Sequence, residues 1–185
     1  RIVNNTIGGG GLGGYGVGAG AGAIVRGGVL ENCLIFGNKA TYTADGNGDG
    51  AGVYQTGGIV RNCTIASNQC ASSRSGAGIY RTGGTVTNTI VYGNKKGTDD
   101  QNITGTSGVF YSCSPDLTTS VTTHNISSDP LFVGMITGNC HLLPTSPGID
   151  AGKDLTGMSS DLDGRSRPID GNRDTVAVTD MGCYE

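Results

Sequence analysis

Residues 50–70 read GAGVYQTGGIVRNCTIASNQC, and residues 76–96 read GAGIYRTGGTVTNTIVYGNKK. The two stretches superimpose without a gap. A third copy, GAGAIVRGGVLENCLIFGNKA, occupies 20–40, and RIVNNTIG at the start of the sequence is a partial fourth. One asparagine is shared by all four: Asn5, Asn32, Asn62 and Asn88, at spacings of 27, 30 and 26 residues. A second follows six residues later in three copies, at Asn38, Asn68 and Asn94. A period that varies by a few residues is the mark of a solenoid with loops of unequal length.

Val, Ile, Thr and Gly fill the copies, helical periodicity is absent, and Leu is too scarce for a leucine-rich repeat. Each copy therefore reads as one turn of a β-helix, with two or three short strands stacked in parallel on the next turn at about 4.8 Å. About five or six such coils are expected from the length of the chain. Period-two alternation points Leu30, Val60 and Val86 inward, then Cys33, Cys63 and Thr89, then Ile35, Ile65 and Val91; Glu31, Arg61 and Thr87 point out. Each inward Ile or Val contributes about 1.5–3 kcal/mol by burial. The shared asparagines Asn5, Asn32, Asn62 and Asn88 are read as a ladder of side-chain amides bonded from coil to coil, so Asn62→Ala is expected to destabilise strongly.

Composition agrees. The 185 residues include 35 Gly and 5 Pro, with 35% hydrophobic residues, 5% aromatic residues and no Trp. That supply is thin for a two-layer core, but glycine suits a chain that turns many corners. Collagen would require glycine at every third position. The net charge of −3, without a basic stripe, argues against nucleic acid as a partner. No apolar run approaches the length of a transmembrane helix. The opening Arg1-Ile2-Val3-Asn4-Asn5-Thr6 already reads as strand and turn, so further coils are expected upstream.

The repeats resemble the right-handed parallel β-helix, or pectate-lyase-like, superfamily. The tail is more specific. Asp129-Pro130-Leu131-Phe132, His141-Leu142-Leu143-Pro144, Ser146-Pro147-Gly148-Ile149-Asp150-Ala151-Gly152, Asp161-Leu162-Asp163-Gly164, Arg167-Pro168 and Asp180-Met181-Gly182-Cys183-Tyr184-Glu185 resemble the end of a choice-of-anchor Q domain. The resemblance implies an all-β, right-handed parallel β-helix in residues 1–133, with the last coil and a C-terminal cap in 134–185. It also implies a secreted or cell-surface bacterial protein whose anchor lies elsewhere in a longer chain. It does not imply a defined reaction. In the cap, Thr179 to Tyr184 is expected to lie as a final strand on the last coil. Cys140 and Cys183 stand where the family carries Tyr and Ala, and the paired departure suggests a disulfide tying that strand to the cap.

Of the other cysteines, Cys33 and Cys63 hold one repeat position on neighbouring coils; stacked thiols and a strained disulfide are both open. Cys70 and Cys113 have no evident partner, and no Cys/His spacing supports zinc. Asp45, Asn47 and Asp49 have the spacing of a calcium loop, yet Thr56 stands where an EF-hand needs Glu. A looser calcium site and a plain polar loop both fit, and no cofactor is required. Asp161 and Asp163 are expected to bond to backbone amides or to Arg165 or Arg167. Tyr54 and Tyr80, with Gln55 and Arg81, form a candidate strip for stacking on sugar rings; the alternative is an ordinary sheet-surface ladder. Glu31 and Arg61 read as a surface ion pair. The leading function is a non-catalytic surface module that displays or binds polysaccharide. A polysaccharide lyase or glycoside hydrolase, and a passive stalk or adhesin, are the alternatives.

Overall fold

The computed structural model describes residues 1–3, 5–7, 21–41 and 49–185. The architecture is an all-β parallel solenoid of about three turns, fewer than the five or six expected from chain length. The difference lies in the tail: parallel coils end near Phe110, and the remaining residues are used otherwise.

Each full turn has four short strands rather than two or three. The first sheet stacks Ile2–Val3, Leu34–Phe36, Thr64–Ala66 and Ile90–Tyr92. The second stacks Thr6–Ile7, Lys39–Ala40, Gln69–Cys70 and Lys95–Lys96, with Asp99–Asp100 added antiparallel at its end. The third holds Ala23–Val25, Val53–Gln55, Ile79–Arg81 and Ile103–Thr104; the fourth holds Val29–Glu31, Ile59–Arg61, Thr85–Thr87 and Val109–Phe110. The extra bends come from residues with left-handed backbone. Gly58 and Gly84 turn the third sheet into the fourth, and Asn32, Asn62 and Asn88 turn the fourth into the first at φ 50°, 49° and 49°. Asparagine tolerates that region better than most non-glycine residues. Gly52 has a different duty: a Cβ there would meet the carbonyl of Gly78 on the next coil and the Ile65 side chain. Only glycine lets consecutive coils close at that corner.

The inward alternation is as expected. Ile35, Ile65, Val91, Val60, Val86 and Cys63 are buried in one apolar column, with Leu30 and Cys33 packed at its edge. A second, narrower column of Ala21, Ala40, Ala51, Cys70 and Ala77 fills the angle near the second sheet.

The tail does not sit on the last coil. It doubles back along the flank, over the outer face of the first sheet. Gly182 N donates to Asn88 O at 2.8 Å, and Cys183 N donates to Thr64 Oγ1 one coil earlier at 3.1 Å. Asn32 Nδ2 donates to Ser160 O at 2.8 Å, and Arg1 meets Asp163 at 3.5 Å. Residues 179–184 form no strand, because their backbone bonds run to scattered points on several coils. Met181 packs on Ile90, while Cys140, Cys183 and Tyr184 pack on Leu34 and Ala66, so the outward face of this sheet is buried too. The end of the stack is closed by other residues: Asp116 Oδ2 accepts the N–H groups of Asn102 and Ile103 at 2.6 and 2.7 Å, and Ile126 pairs with Cys113.

Within the tail, Phe132–Gly134 and Asn139–Leu142 pair antiparallel, and beyond them carboxylates largely replace strand pairing. Asp161 Oδ1 accepts from the N–H of Asp163 and Arg165 at 2.9 and 2.8 Å, and its Oδ2 from Glu185 N at 2.8 Å. Asp150 accepts from Asn172 N at 2.7 Å, and Asp170 from Arg173 N at 2.6 Å. Backbone donors that no neighbouring strand can reach are thereby satisfied.

Candidate functional site

The asparagine ladder exists, but on the second asparagine and not the first. Asn5, Asn38, Asn68, Asn94 and Asn102 form one column. Each of the first four donates both its backbone N–H and its Nδ2–H to the Oδ1 of the next, at 2.9–3.0 Å. The second Nδ2 hydrogen reaches a carbonyl of the preceding coil: Asn38 to Ile2 O, Asn68 to Ile35 O, Asn94 to Ile65 O. Asn5 belongs here because Ile2 pairs with Ile35, which places Asn5 beside Asn38. The first set does not form an amide chain. Asn32 and Asn88 bond to the tail, at Ser160 O and at Lys153, and the buried amide of Asn62 has no hydrogen-bond partner. Their role is the corner conformation.

The proposed sugar strip divides by face. Tyr54 and Tyr80 point outward in register between Ile24 and Thr104, with ring centroids 5.4 Å apart and planes within 12°. Their faces cover each other, so the row presents mainly ring edges and hydroxyls, and Ile24, 45% exposed, extends it. Gln55 and Arg81 point inward and are buried, which removes them from the strip. Arg81 Nε donates to Gln55 Oε1 at 3.1 Å; its remaining nitrogens donate to the carbonyls of Gly84, Gly105 and Ser107. Burial pulls its pKa down, and the ring of oxygens keeps the cation tolerable without a carboxylate. Period-two alternation carries this result: Val53 and Ile79 are inward, so Gln55 and Arg81 must be.

A concavity lies in the tail, where the sequence nominated nothing. A cleft of about 630 Å³ is lined by the apolar side chains of Leu142, Pro144, Ile149 and Ile169, by Arg165 and Arg173, and by His141 and Tyr184. His141 and Tyr184 stack at 3.9 Å. The imidazole is fixed at both nitrogens, Nδ1 with Asn139 Oδ1 and Nε2 with Asp163 Oδ2, each at 2.7 Å. A smaller hollow of about 230 Å³ opens on the other side of the same stack, beside Arg1. Beneath the cleft, burial pushes the Asp180 carboxyl up to about 7, against the hydrogen bond from Asp150 N. Glu185 is also pushed up by burial; Arg167 lies 3.3 Å from it, with both side chains buried. The signal that could have found the cleft is the density of charged residues in the tail, which reads equally well as loop.

Of the calcium residues, Asp45 and Asn47 lie outside the described residues. Asp49 Oδ1 accepts from Ser75 N at 2.8 Å, which ties the loop to the next coil. Among the described residues no group of three or more His, Cys, Asp or Glu could hold a metal ion. Cys140 and Cys183 enter one apolar cluster as expected, but as free thiols rather than a disulfide. Burial pushes both up to about 12, which favours the protonated thiol. The Glu31–Arg61 pair forms at 2.6–2.8 Å, and Asp161 bonds to backbone amides as expected. Among the described residues no helix is long and apolar enough to cross a membrane.

Fold and site together define a class: an all-β parallel solenoid with a C-terminal segment strapped along one flank. Compared with known proteins, the chain matches no family model, no curated protein and no solved structure.

Proposed function

We propose that the chain is a non-catalytic β-helix module of a bacterial surface protein, of the choice-of-anchor Q type, and that it binds acidic polysaccharide in the tail cleft. The observation that supports this most is the lining of that cleft. An apolar wall of Leu142, Pro144, Ile149 and Ile169 faces Arg165 and Arg173, beside the rigid His141–Tyr184 stack. A sugar ring has an apolar face and a polar rim, and a cleft of this size and mixed character suits one or two such rings. The guanidinium groups favour a uronate over a neutral sugar. The buried carboxyls beneath them oppose an anion less than exposed ones would: burial pushes Asp180 up to about 7, and Glu185 faces Arg167. Tyr54 and Tyr80 are secondary, since their stacked faces are unavailable to a ligand.

Retention of the protein on immobilised acidic and neutral polysaccharides tests the reading, with ultraviolet absorbance followed for unsaturated uronate. Retention on the acidic glycans, lost in Arg173→Ala and kept in Tyr80→Ala, supports it. Loss in Tyr80→Ala alone moves the site to the tyrosine row. Unsaturated product would make the protein a lyase, and retention on none of the glycans would leave a stalk.

A further inference from the structure

A column of small side chains lines the corner where the fourth sheet turns into the first: Cys33, Cys63, Thr89 and Ser112. Each reaches back to the carbonyl two residues before it. Cys33 Sγ donates to Glu31 O at 3.1 Å, Cys63 Sγ to Arg61 O at 3.2 Å, Thr89 Oγ1 to Thr87 O at 2.9 Å and Ser112 Oγ to Phe110 O at 2.8 Å. Hydroxyls perform this task at two of the four positions, so the turn itself does not require sulfur.

The two thiols are neighbours. Glu31 pairs with Arg61 and Leu34 with Thr64, so Cys33 faces Cys63 across a single step between coils. That step is about 4.8 Å, inside the Cα separation a disulfide tolerates. Their surroundings differ. Cys63 is fully buried, whereas Cys33 is half-buried at the edge of the core. Against burial, the adjoining Cys63 thiol draws the Cys33 thiol down to about 7, while burial pushes Cys63 up. The outer sulfur has the character of an attacking nucleophile, and the inner one that of a resolving thiol. Cys70, Cys113, Cys140 and Cys183 are buried, and burial raises each of them, so they do not compete.

We propose that Cys33 and Cys63 are a redox modification site that reacts with small disulfides and closes into a disulfide between consecutive coils. The Cys33 thiolate attacks one sulfur of the small disulfide. That S–S bond breaks, and one small thiolate leaves with the electron pair and is protonated by water. Cys63 then attacks the Cys33 sulfur, and its proton passes to the second small thiolate as that group is expelled as a thiol. Two protein thiols are oxidised, and one small disulfide is reduced to two thiols. The bond locks two coils at a bend where side chains point the same way, so it is strained and readily reduced again. This site is independent of the polysaccharide reading.

The test is reaction of the folded, reduced protein with excess 5,5′-dithiobis(2-nitrobenzoate), following the coloured thiolate and the mass of the product. The expected fast phase releases two equivalents from the wild type, and its product has lost two hydrogens and retains no nitrobenzoate. Cys63→Ser releases one equivalent and retains the adduct; Cys33→Ser shows no fast phase. Thr89 and Ser112 indicate that a hydroxyl fits the column, and thermal melts verify the fold of each variant, with Cys33→Thr or Cys63→Thr replacing the corresponding serine variant where its melt is shifted. A wild type that releases one equivalent and keeps the adduct overturns the closure. A fast phase that survives in folded Cys33→Ser or Cys33→Thr overturns the assignment altogether.

Discussion

The coils and the tail solve one problem in opposite ways. Both bury backbone that must be hydrogen-bonded. In the coils the strand donors face equivalent acceptors one turn away, and the ladder Asn5–Asn38–Asn68–Asn94 repeats a single arrangement, closed by Asn102 at its end. In the tail no two bonds repeat, and Asp150, Asp161 and Asp170 gather the N–H groups of bends that have no partner strand. A periodic solution is stable through identical neighbours; an aperiodic one depends on a few carboxylates, each serving several donors. Damage to the first is expected to spread through the stack, and damage to the second to stay local.

The largest effect is expected at the ladder. Asn68→Ala removes the acceptor of two Asn38 donors and the donor to Ile35 O and Asn94, all buried, and should cost about 3 kcal/mol. Urea unfolding reads it; a loss below about 1 kcal/mol would mean that the coils do not depend on their periodic bonds. Next is Asp161→Ala, which orphans the N–H groups of Asp163, Arg165 and Glu185 and should cost about 2 kcal/mol. Limited proteolysis should then cut the tail while the β signal of the coils persists. Cooperative loss of both would erase the distinction between the regions.

The third prediction concerns pH. Asp180 has its folded pKa raised from 3.8 to about 7, so the folded state holds the proton more tightly than the unfolded state. Stability therefore falls as pH rises from about 4 to about 7, by at most about 1.4 kcal/mol per pH unit for this group. Asp180→Asn should flatten that part of the curve of melting temperature against pH, and an unchanged slope would refute the assignment. The smallest effect is expected at Asn62→Gly, below about 1 kcal/mol, because glycine accepts the left-handed corner and the amide it removes has no partner. A loss as large as that of Asn68→Ala would restore Asn62 to a ladder role.

What was legible in the sequence follows the same division. Strand alternation, stacking of copies and the inward set Ile35, Ile65 and Val91 were all readable, since a repeat states each decision several times. The ladder was misplaced for a specific reason. Asn5 lies two residues after Val3 and three after Ile2, so it fits either asparagine column, and only the pairing of Ile2 with Ile35 decides. Gln55 and Arg81 were polar, hence read as exposed, although their own alternation placed them inside. The tail cleft was not legible. Its walls come from His141, Ile149, Arg165 and Tyr184, which meet only after the segment reverses over the coils, and no local pattern encodes that reversal.

The strap also bears on how the chain is made. Coil contacts join residues about one repeat apart, so each turn can form soon after its neighbour. The bonds from Cys183 to Thr64 and from Arg1 to Asp163 join residues 119 and 162 positions apart, so they close only after residues 183 and 163 have left the ribosome. Until then Leu34, Ala66 and Ile90 stand uncovered on the flank of coils that have already formed. Synthesis thus passes through a stage with a bare apolar sheet face, and residues 140–184 end that exposure for several coils at once.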